Sequence, residues 1–494
     1  MSDMPELDAA GLPEELSPVD QILHRGEANP RTRSGIMTLE ILDTTPDWKR
    51  LRTRFEHASR KVLRLRQKVV MPTLPTVAPR WVVDPDFNLD FHVRRVRVAE
   101  PGTLREVLDL AEVALQSPLD ISRPLWTATL VEGLAGGRAA MMVHLSHAVT
   151  DGVGGVEMFA NLYDLERDPP PEEDPPLPIP QDLSPNDLMR QGFNRLPGAI
   201  VGGVGKAIFG AAHAVGNVIR DPVSSLGGAV EYAISGARVV GPAAEPSPVL
   251  RRRSLSSRTD AIDIVFGDLH RAAKAAGGSI NDAYLAGLCG ALRLYHEHMG
   301  VPIDTLPMAI PVNMRSDNDP AGGNRFAGVN LAAPVGVVDP ERRIRSIRSQ
   351  MTRKRDERAV NMVGVIAPLI SLLPDTVLEG MAGSIVNSDV QASNVPVYPG
   401  DTFIAGAKIL RQYGIGPLPG VAIMVVLVSR AGYITVSARY DRAAVTDGEY
   451  FARCLQAGFD EVLALGGEGR CMPASFVSDT EETRPPSPNG SNAL

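Results

Sequence analysis

A proline-dense acidic stretch, residues 167–185 (RDPPPEEDPPLPIPQDLSP), limits the possible folds of this chain more than any other segment. Proline fixes φ and lacks a backbone donor, so neither a helix nor a central strand runs through such a stretch. A glycine-rich region of helical character follows, and the 494 residues exceed what one ordinary core holds. We therefore predict two halves, 1–185 and 251–476, joined by a helical linker at 186–250 and followed by a disordered tail at 477–494.

Both halves carry mixed helix and strand patterns. Apolar and polar residues alternate over 36–42, which predicts a strand. Thr103 and Glu106 have the spacing of a capping box at the start of a helix, and Ser279 opens a long helix to about His298. These patterns predict an α/β (α+β) protein, without an internal repeat of fixed period.

Charge and cysteine content exclude several classes of function. The net charge of −8 argues against nucleic acid as the main partner. The three cysteines have no CxxC spacing, so neither a zinc site nor a disulfide framework is indicated. The first residues are acidic and lack an apolar core, so we expect no secretory signal. Residues 198–219 are long enough to span a membrane, but their glycine content and Lys206 favour an interfacial or domain-covering segment.

Basic side chains dominate two predicted helices, near residues 48–62 and 341–358. The simplest interpretation is that these faces are solvated. Attraction to an anionic cofactor or to lipid headgroups is the alternative.

The segment around His147 carries the strongest chemical signal. An apolar strand pattern over 141–145 ends at Ser146 and presents His147, and Asp151 precedes a glycine-rich bend. A neutral histidine at a strand end can take a proton from an alcohol near neutral pH. A satisfied structural histidine is the alternative, because a single HxxxD also arises by chance. The GxGxxG, Walker, HExxH and GxSxG patterns are absent from the sequence.

Seven short motifs occur in a fixed order along the chain. They are Leu16–Asp20 (LSPVD), Pro124–Trp126 (PLW), His147–Gly152 (HAVTDG), Asn281–Asp282, Gly322–Asn324 (GGN), Ser393–Pro396 (SNVP) and Asp441–Arg442. Together they resemble the bacterial wax ester synthase/acyl-CoA:diacylglycerol acyltransferase family, within the CoA-dependent acyltransferases that carry HxxxD. The resemblance covers nearly the whole chain.

This resemblance implies two chloramphenicol-acetyltransferase-like subdomains with a channel between them. Acyl-CoA, as co-substrate, would enter one side, and diacylglycerol or a fatty alcohol would enter the other; no bound cofactor or metal is expected. His147 would deprotonate the acceptor hydroxyl, and Asp151 would hold the loop. The remaining expected site residues would line or brace the site, with Asn394 as an oxyanion contact and loop capping as their alternative role. They are Gly152, Asn281, Asp282, Ser393 and Asn394.

Two departures from the family pattern leave other functions open. The family has HHxxxDG, whereas this chain has Ser146 before His147, and the loop SNVPVYPG replaces the usual SNVPGP. A non-catalytic homologue that binds lipid or acyl-CoA is one alternative, and an acyltransferase for another alcohol is a second. We expect a cytoplasmic protein, with peripheral association to the inner face of the plasma membrane or to a lipid-droplet surface left open.

Overall fold

Two mixed β-sheets with helices packed on them carry the fold. The computed structural model describes residues 14–73, 77–150, 152–195, 243–313, 326–356, 371 and 388–474. The described helices are α1 (Pro18–Gly26), α2 (Trp48–Lys61), α3 (Leu89–His92), α4 (Leu104–Gln116), α5 (Gly152–Phe159), α6 (Pro185–Arg195), α7 (Phe266–Ala275), α8 (Ile280–His298), α9 (Pro340–Asp356) and α10 (Gly448–Leu463). The described strands are β1 (Gly35–Leu42), β2 (Gln67–Val70), β3 (Arg80–Val83), β4 (Val93–Arg97), β5 (Trp126–Glu132), β6 (Ala139–Ser146), β7 (Ser257–Val265), β8 (Leu306–Asn313), β9 (Phe326–Ala333), β10 (Val390–Pro396), β11 (Phe403–Ile404), β12 (Ala407–Ile415), β13 (Ile423–Arg430), β14 (Tyr433–Asp441) and β15 (Met472–Pro473).

The first sheet has the strand order β11-β12-β1-β6-β5-β4, and the second has β15-β7-β14-β13-β10-β8-β9. β2 and β3 form a separate two-stranded ribbon. Antiparallel pairs predominate, and β4–β5, β10–β13 and β8–β10 are parallel. The mixed α/β class predicted from the sequence is confirmed.

Two strands from the C-terminal half complete the first sheet. β12 pairs antiparallel with β1, placing Gly414 opposite Thr38 and Gln412 opposite Glu40. β12 also contacts the second sheet, where the Thr435 hydroxyl donates to the Gln412 carbonyl at 2.6 Å. The sequence patterns predicted no strand here. The two halves are therefore interlocked by a strand that serves both sheets.

Helix α4 ties the halves together on another face. Its predicted capping box is confirmed, since the Glu106 carboxylate accepts the Thr103 backbone N–H at 2.5 Å. Further along, the buried Glu112 carboxylate lies 3.3 Å from Arg439 Nε on β14. Arg105 reaches Asp260 on β7 at 2.9 Å. The buried Glu112–Arg439 pair fixes the geometry of this boundary, because breaking it would leave an uncompensated charge.

An acidic strap, residues 163–184, lies along α2 and includes most of the proline-dense stretch. Arg54 lies 2.7 Å from Asp164, and Arg50 lies 2.8 Å from Asp168. The strap then reaches the ribbon, where the Gln181 N–H donates to the Val83 carbonyl at 3.0 Å. The interpretation of the basic face of α2 as solvated or lipid-facing is corrected, because part of that face binds the chain's own acidic segment.

The prediction of an irregular loop at Ser393–Pro396 is wrong. This segment is part of strand β10, which pairs in parallel with β13, Ser393 lying opposite Val426. Pairing with β8 covers Val390 and Gln391. The ladder with β13 outweighs the turn preference of Ser, Asn and Pro. Pro396 is tolerated because it ends the strand.

Several predicted features lie outside the described residues. They are residues 198–219, the GGN motif at 322–324, most of the linker and the tail at 477–494. Within the described ranges, no helix combines the length and the apolar character needed to cross a bilayer. The same ranges hold no group of three or more His, Cys, Asp or Glu side chains suited to a metal ion.

Candidate active site

Strand β6 delivers His147 to the space between the two sheets. The strand lies between β1 and β5 and is buried along its whole length. Side chains alternate across a strand, so Val143 and Leu145 face the same side, and both line one cavity together with His147. His147 is half-buried, and its backbone N–H donates to the Ser34 carbonyl at 3.1 Å.

Ser146 is turned away from that cavity and is fully buried. Its hydroxyl donates to Glu27 Oε1 at 2.7 Å and accepts the Ala148 N–H at 3.1 Å. The Ser34 hydroxyl donates to the same Glu27 oxygen at 3.3 Å. Burial raises the pKa of Glu27, while the hydrogen bonds from Ser146 and Ser34 oppose that rise. Glu27 thus binds both Ser146, which precedes His147 in the chain, and Ser34, whose carbonyl accepts the His147 N–H.

A cavity of about 310 Å³ opens beside His147. This volume lies at the lower end of the range typical of ligand pockets. One wall comes from β1, β6 and α5, and the other from β10, β12 and β13. The side chains along its length are mostly apolar: Ile36, Val143, Leu145, Val156, Phe159, Met424, Val426 and Val428. Such walls suit a hydrocarbon chain, and the site therefore fits a lipid-like substrate.

Two of the remaining predicted site residues also line this cavity. Ser393 is half-buried and Asn394 is exposed, and both lie on β10 across the cavity from β6. Their amide and hydroxyl groups are the kind of donors that can stabilise an oxyanion. The sequence motif therefore identified residues that share a cavity with His147.

Asn281 and Asp282 occupy a different position. Asp282 is the third residue of α8, where its carboxylate accepts the Ser279 N–H at 2.8 Å and the Ser279 hydroxyl at 2.7 Å. Among the described residues that line the cavity, neither Asn281 nor Asp282 occurs. Asp282 therefore caps helix α8, which is the alternative role that the sequence left open. Asp151 lies outside the described residues, and Gly152 begins α5.

A polar cluster inside the same cavity escaped the sequence analysis. Gln412, Thr402, Tyr163 and Arg430 line the cavity, and Glu40 lies beneath them. Arg430 Nη1 donates to Gln412 Oε1 at 3.3 Å, and Gln412 Nε2 donates to Glu40 Oε1 at 3.3 Å. Arg430 Nη2 donates to the Thr402 hydroxyl, and the Tyr163 hydroxyl donates to Glu40.

Complete burial raises the pKa of Glu40 to about 7, against the opposing effects of the Tyr163 hydroxyl and the Arg430 charge. The alternation of residues 36–42 placed Glu40 on the same face of the predicted strand as Ile36 and Thr38. This alternation was the sequence signal that could have pointed to Glu40. It could not show the partners, because they come from three distant segments.

Comparisons with known proteins give a consistent family assignment. Residues 4–284 match the wax ester synthase/diacylglycerol acyltransferase catalytic domain, and residues 322–462 match the C-terminal domain of the same family. A Mycobacterium tuberculosis H37Rv protein with the provisional name diacylglycerol O-acyltransferase is 71% identical over 97% of this chain and 98% of its own length. A second protein of that strain with the same provisional name is 27% identical over 87% of this chain and 92% of its own.

Solved structures agree on the fold. The wax ester synthase/diacylglycerol acyltransferase from Marinobacter aquaeolei VT8 has a TM-score of 0.64 at 18% identity, covering 92% of this chain and all of that one. The first condensation domain of the CDA synthetase has a TM-score of 0.54 at 14% identity, covering 95% of this chain and all of that one. The two-subdomain acyltransferase-like fold implied by the motifs is confirmed.

Proposed function

Because this chain belongs to the wax ester synthase/diacylglycerol acyltransferase family, we propose that it transfers a fatty acyl group from acyl-CoA to a hydroxyl group of diacylglycerol or of a long-chain alcohol. The products would be triacylglycerol or a wax ester, and acyl-CoA would act as co-substrate without a bound cofactor. The observation that carries this proposal is the position of His147, half-buried at an apolar cavity between two sheets, with its backbone held by Ser34.

His147 acts as the general base in this proposal. The neutral imidazole accepts the proton of the acceptor hydroxyl while the hydroxyl oxygen attacks the thioester carbonyl carbon. The tetrahedral intermediate then collapses, the C–S bond breaks, and the imidazolium returns the proton to the CoA thiolate. The reaction therefore needs neither an oxidant nor a metal. The acyl chain lies along the apolar walls, which exclude water and limit hydrolysis of the thioester.

Asn394 is proposed to donate from its side-chain amide to the oxyanion of the intermediate, with Ser393 beside it. Their place on β10, opposite His147 across one cavity, supports this role. Asp151 is proposed to hold the loop rather than to contact substrate, and this role rests on the sequence motif. An Asp151→Ala variant should lower the yield of folded protein as well as the rate.

Replacing His147 with alanine tests the proposal. We expect the purified protein to release CoA thiol from palmitoyl-CoA with dioleoylglycerol or hexadecanol, and His147→Ala to lower kcat at least about a hundredfold. Thiol release with each acceptor measures this and ranks the two alcohols. His296→Gln is a matched control, since His296 is buried between Ser247 and Leu292 and does not line the cavity. Wild-type release no faster than that of His147→Ala with any alcohol would contradict enzymatic acyl transfer.

We also propose peripheral association with the inner face of the plasma membrane or with a lipid droplet, since the acceptor alcohols and both products are insoluble. The exposed arginines of α9 support this, among them Arg345 at 64% side-chain exposure. Flotation with anionic liposomes at low salt tests it. Protein that stays at the bottom of the gradient would contradict the association.

A further inference from the structure

The polar cluster of Glu40, Tyr163, Thr402, Gln412 and Arg430 lies far from His147 within one cavity. The register of β1 against β6 gives the separation. Gly35 pairs with Ser146, next to His147, whereas Glu40 pairs with Met141. Five residues along a strand cover about 17 Å. A membrane leaflet's acyl chain spans about 15 Å, half of a bilayer core. A fully extended sixteen-carbon chain is longer than this bilayer average, so with its reacting carbon at His147 it reaches the cluster.

The region between the two ends is mostly apolar, which makes the cluster unusual. Thr38, Val143, Val426 and Gly414 form the middle of the cavity, and Val428 precedes Arg430 on the same face of β13. The hydrocarbon of a bound chain fits this middle section. Its plain methyl end would lie against a buried guanidinium, which is an unfavourable contact because the charged group gains no hydrogen bond there.

The cluster retains unused hydrogen-bonding capacity. Arg430 is 6% exposed and Glu40 is fully buried. Two of the five N–H donors of the guanidinium are accounted for by Gln412 and Thr402. Within the described part of the chain, Glu40 Oε2 and Arg430 Nε are buried without a hydrogen-bond partner. Buried polar atoms that lack partners are costly, and a polar ligand group that rearranges the cluster can relieve that cost.

We propose that this cluster is a subsite for an oxygen-bearing group at the far end of a long-chain substrate, such as an ω-hydroxyl group. The proposal rests on acyl transfer at His147 and adds a preference for chains with a polar group about 17 Å from the reacting carbon. Arg430 donates a hydrogen bond to the oxygen of that group, and the Gln412 side-chain oxygen, oriented by Glu40 beneath it, accepts the hydrogen bond of its hydroxyl. Either the acyl chain of the donor or the alkyl chain of the acceptor can supply this chemistry.

Paired substrates test the subsite. Wild-type kcat/KM is compared for palmitoyl-CoA and 16-hydroxypalmitoyl-CoA with hexadecanol, and separately for hexadecanol and 1,16-hexadecanediol with palmitoyl-CoA. We expect the hydroxylated chain to be preferred about tenfold in one of these arms, the size of one hydrogen bond to a charged group. The arm that shows the preference identifies the chain that occupies the cavity. Equal kcat/KM values in both arms would overturn the proposal.

Arg430→Met should remove the preference and improve the use of the plain chain. Arg411→Met is the matched control, because Arg411 is a buried arginine beside Gln412 on β12 that pairs with Asp263 at 3.1 Å and does not line the cavity. Both variants should lose stability, but only Arg430→Met should change the chain preference. If Arg430→Met does not fold, Glu40→Gln is used, with the same expected loss of preference. If the cluster serves only to hold β12 in place, these variants should lose stability and keep the chain preference. That result would overturn the subsite.

Calorimetric binding to the His147→Ala variant separates this proposal from the proposed function. Tighter binding of 16-hydroxypalmitoyl-CoA or of 1,16-hexadecanediol than of its plain counterpart supports the subsite even if the wild type turns nothing over. Turnover without any chain preference in kinetics or binding overturns the subsite and leaves acyl transfer intact.

Discussion

Ser146 shows how the first histidine of the HHxxxDG pattern can be lost while the loop that carries the second is kept. The side chain points away from the cavity, so its identity acts on His147 through the backbone and not through contact with substrate. Its hydroxyl joins Glu27 to the Ala148 N–H, and Ser34 links the same carboxylate to the His147 N–H. We therefore expect Ser146 and Glu27 to position His147 rather than to contact substrate.

Ser146→Ala should lower kcat about tenfold and leave the KM for acyl-CoA unchanged, because the variant misplaces the base without altering the cavity wall. The free energy of unfolding should fall by about 1–3 kcal/mol, since buried Glu27 loses a donor. Steady-state kinetics and denaturant unfolding measure the two effects. Ser122→Ala is the control, as Ser122 makes similar hydrogen bonds to Asp120 on an exposed loop. A raised KM at constant kcat would contradict the positioning role.

Sequence reasoning pointed to residues at one end of the candidate cavity but not to those at its far end. His147 could be found because HxxxD is local and follows a strand pattern. Ser393 and Asn394 came from the family motif and do share the cavity. The sequence alone could not decide whether Asn281 and Asp282 belong to the site or to a helix cap, because a capping box and a site motif use the same residue types.

At the scale of elements, the acidic strap is the binding partner of part of the basic face of α2. Arg54 is the central contact, since it pairs with Asp164 and donates to the carbonyls of Leu162 and Tyr163. Its side chain is 16% exposed and that of Asp164 is 6% exposed, so solvent screens this pair less than a surface ion pair. The same contacts fix Tyr163, which lines the cavity.

Arg54→Ala should free the strap and raise its rate of cleavage by a nonspecific protease several-fold, because strap residues would lose their anchor. Mass spectrometry of the fragments locates the cleavage sites. Arg52→Ala is the matched control, since Arg52 lies on the same helix but pairs with Asp90 instead. Equal cleavage of the two variants within residues 163–184 would contradict the anchoring role.

Local patterns predicted the elements whose own residues show clear alternation, apolar spacing or caps. The strand at 36–42 and helices α4 and α8 appear where alternation, apolar spacing and caps indicated. β10 and β12 were missed because their own residues do not show a clear strand pattern. β10 has turn-forming residues that only the ladder with β13 makes extended, and β12 is fixed by β1.

For the whole molecule, buried histidines couple folding to pH. Burial lowers the pKa of His24 and of His92 to about 4, and that of His144 to about 3. In the unfolded chain these groups bind protons at about pH 6.5. Their contribution to stability is therefore full above pH 6.5 and is lost as the pH falls toward 4 and 3.

Between pH 7 and pH 5 each of these three histidines should lower the free energy of unfolding by about 2 kcal/mol, and Glu40, whose pKa burial raises to about 7, should offset about 2 kcal/mol of that drop. Urea denaturation at the two pH values measures the drop. His144→Met should reduce the drop by about 2 kcal/mol, because one of the three histidine contributions is removed. Replacing exposed His270 with glutamine should leave it unchanged. A drop of equal size in His144→Met and wild type would contradict the assignment to burial.

The pairing of β1 with β12 also has a consequence for folding during biosynthesis. β1 leaves the ribosome early, but its partner strand follows roughly 370 residues later. At about 5–20 residues per second, the edge of β1 waits roughly 20 to 70 s for that partner. During this interval the nascent chain exposes an unpaired β-edge beside an unfinished apolar cavity, both of which promote aggregation. A cavity walled by both halves therefore leaves the nascent chain prone to aggregation until β12 has been synthesised.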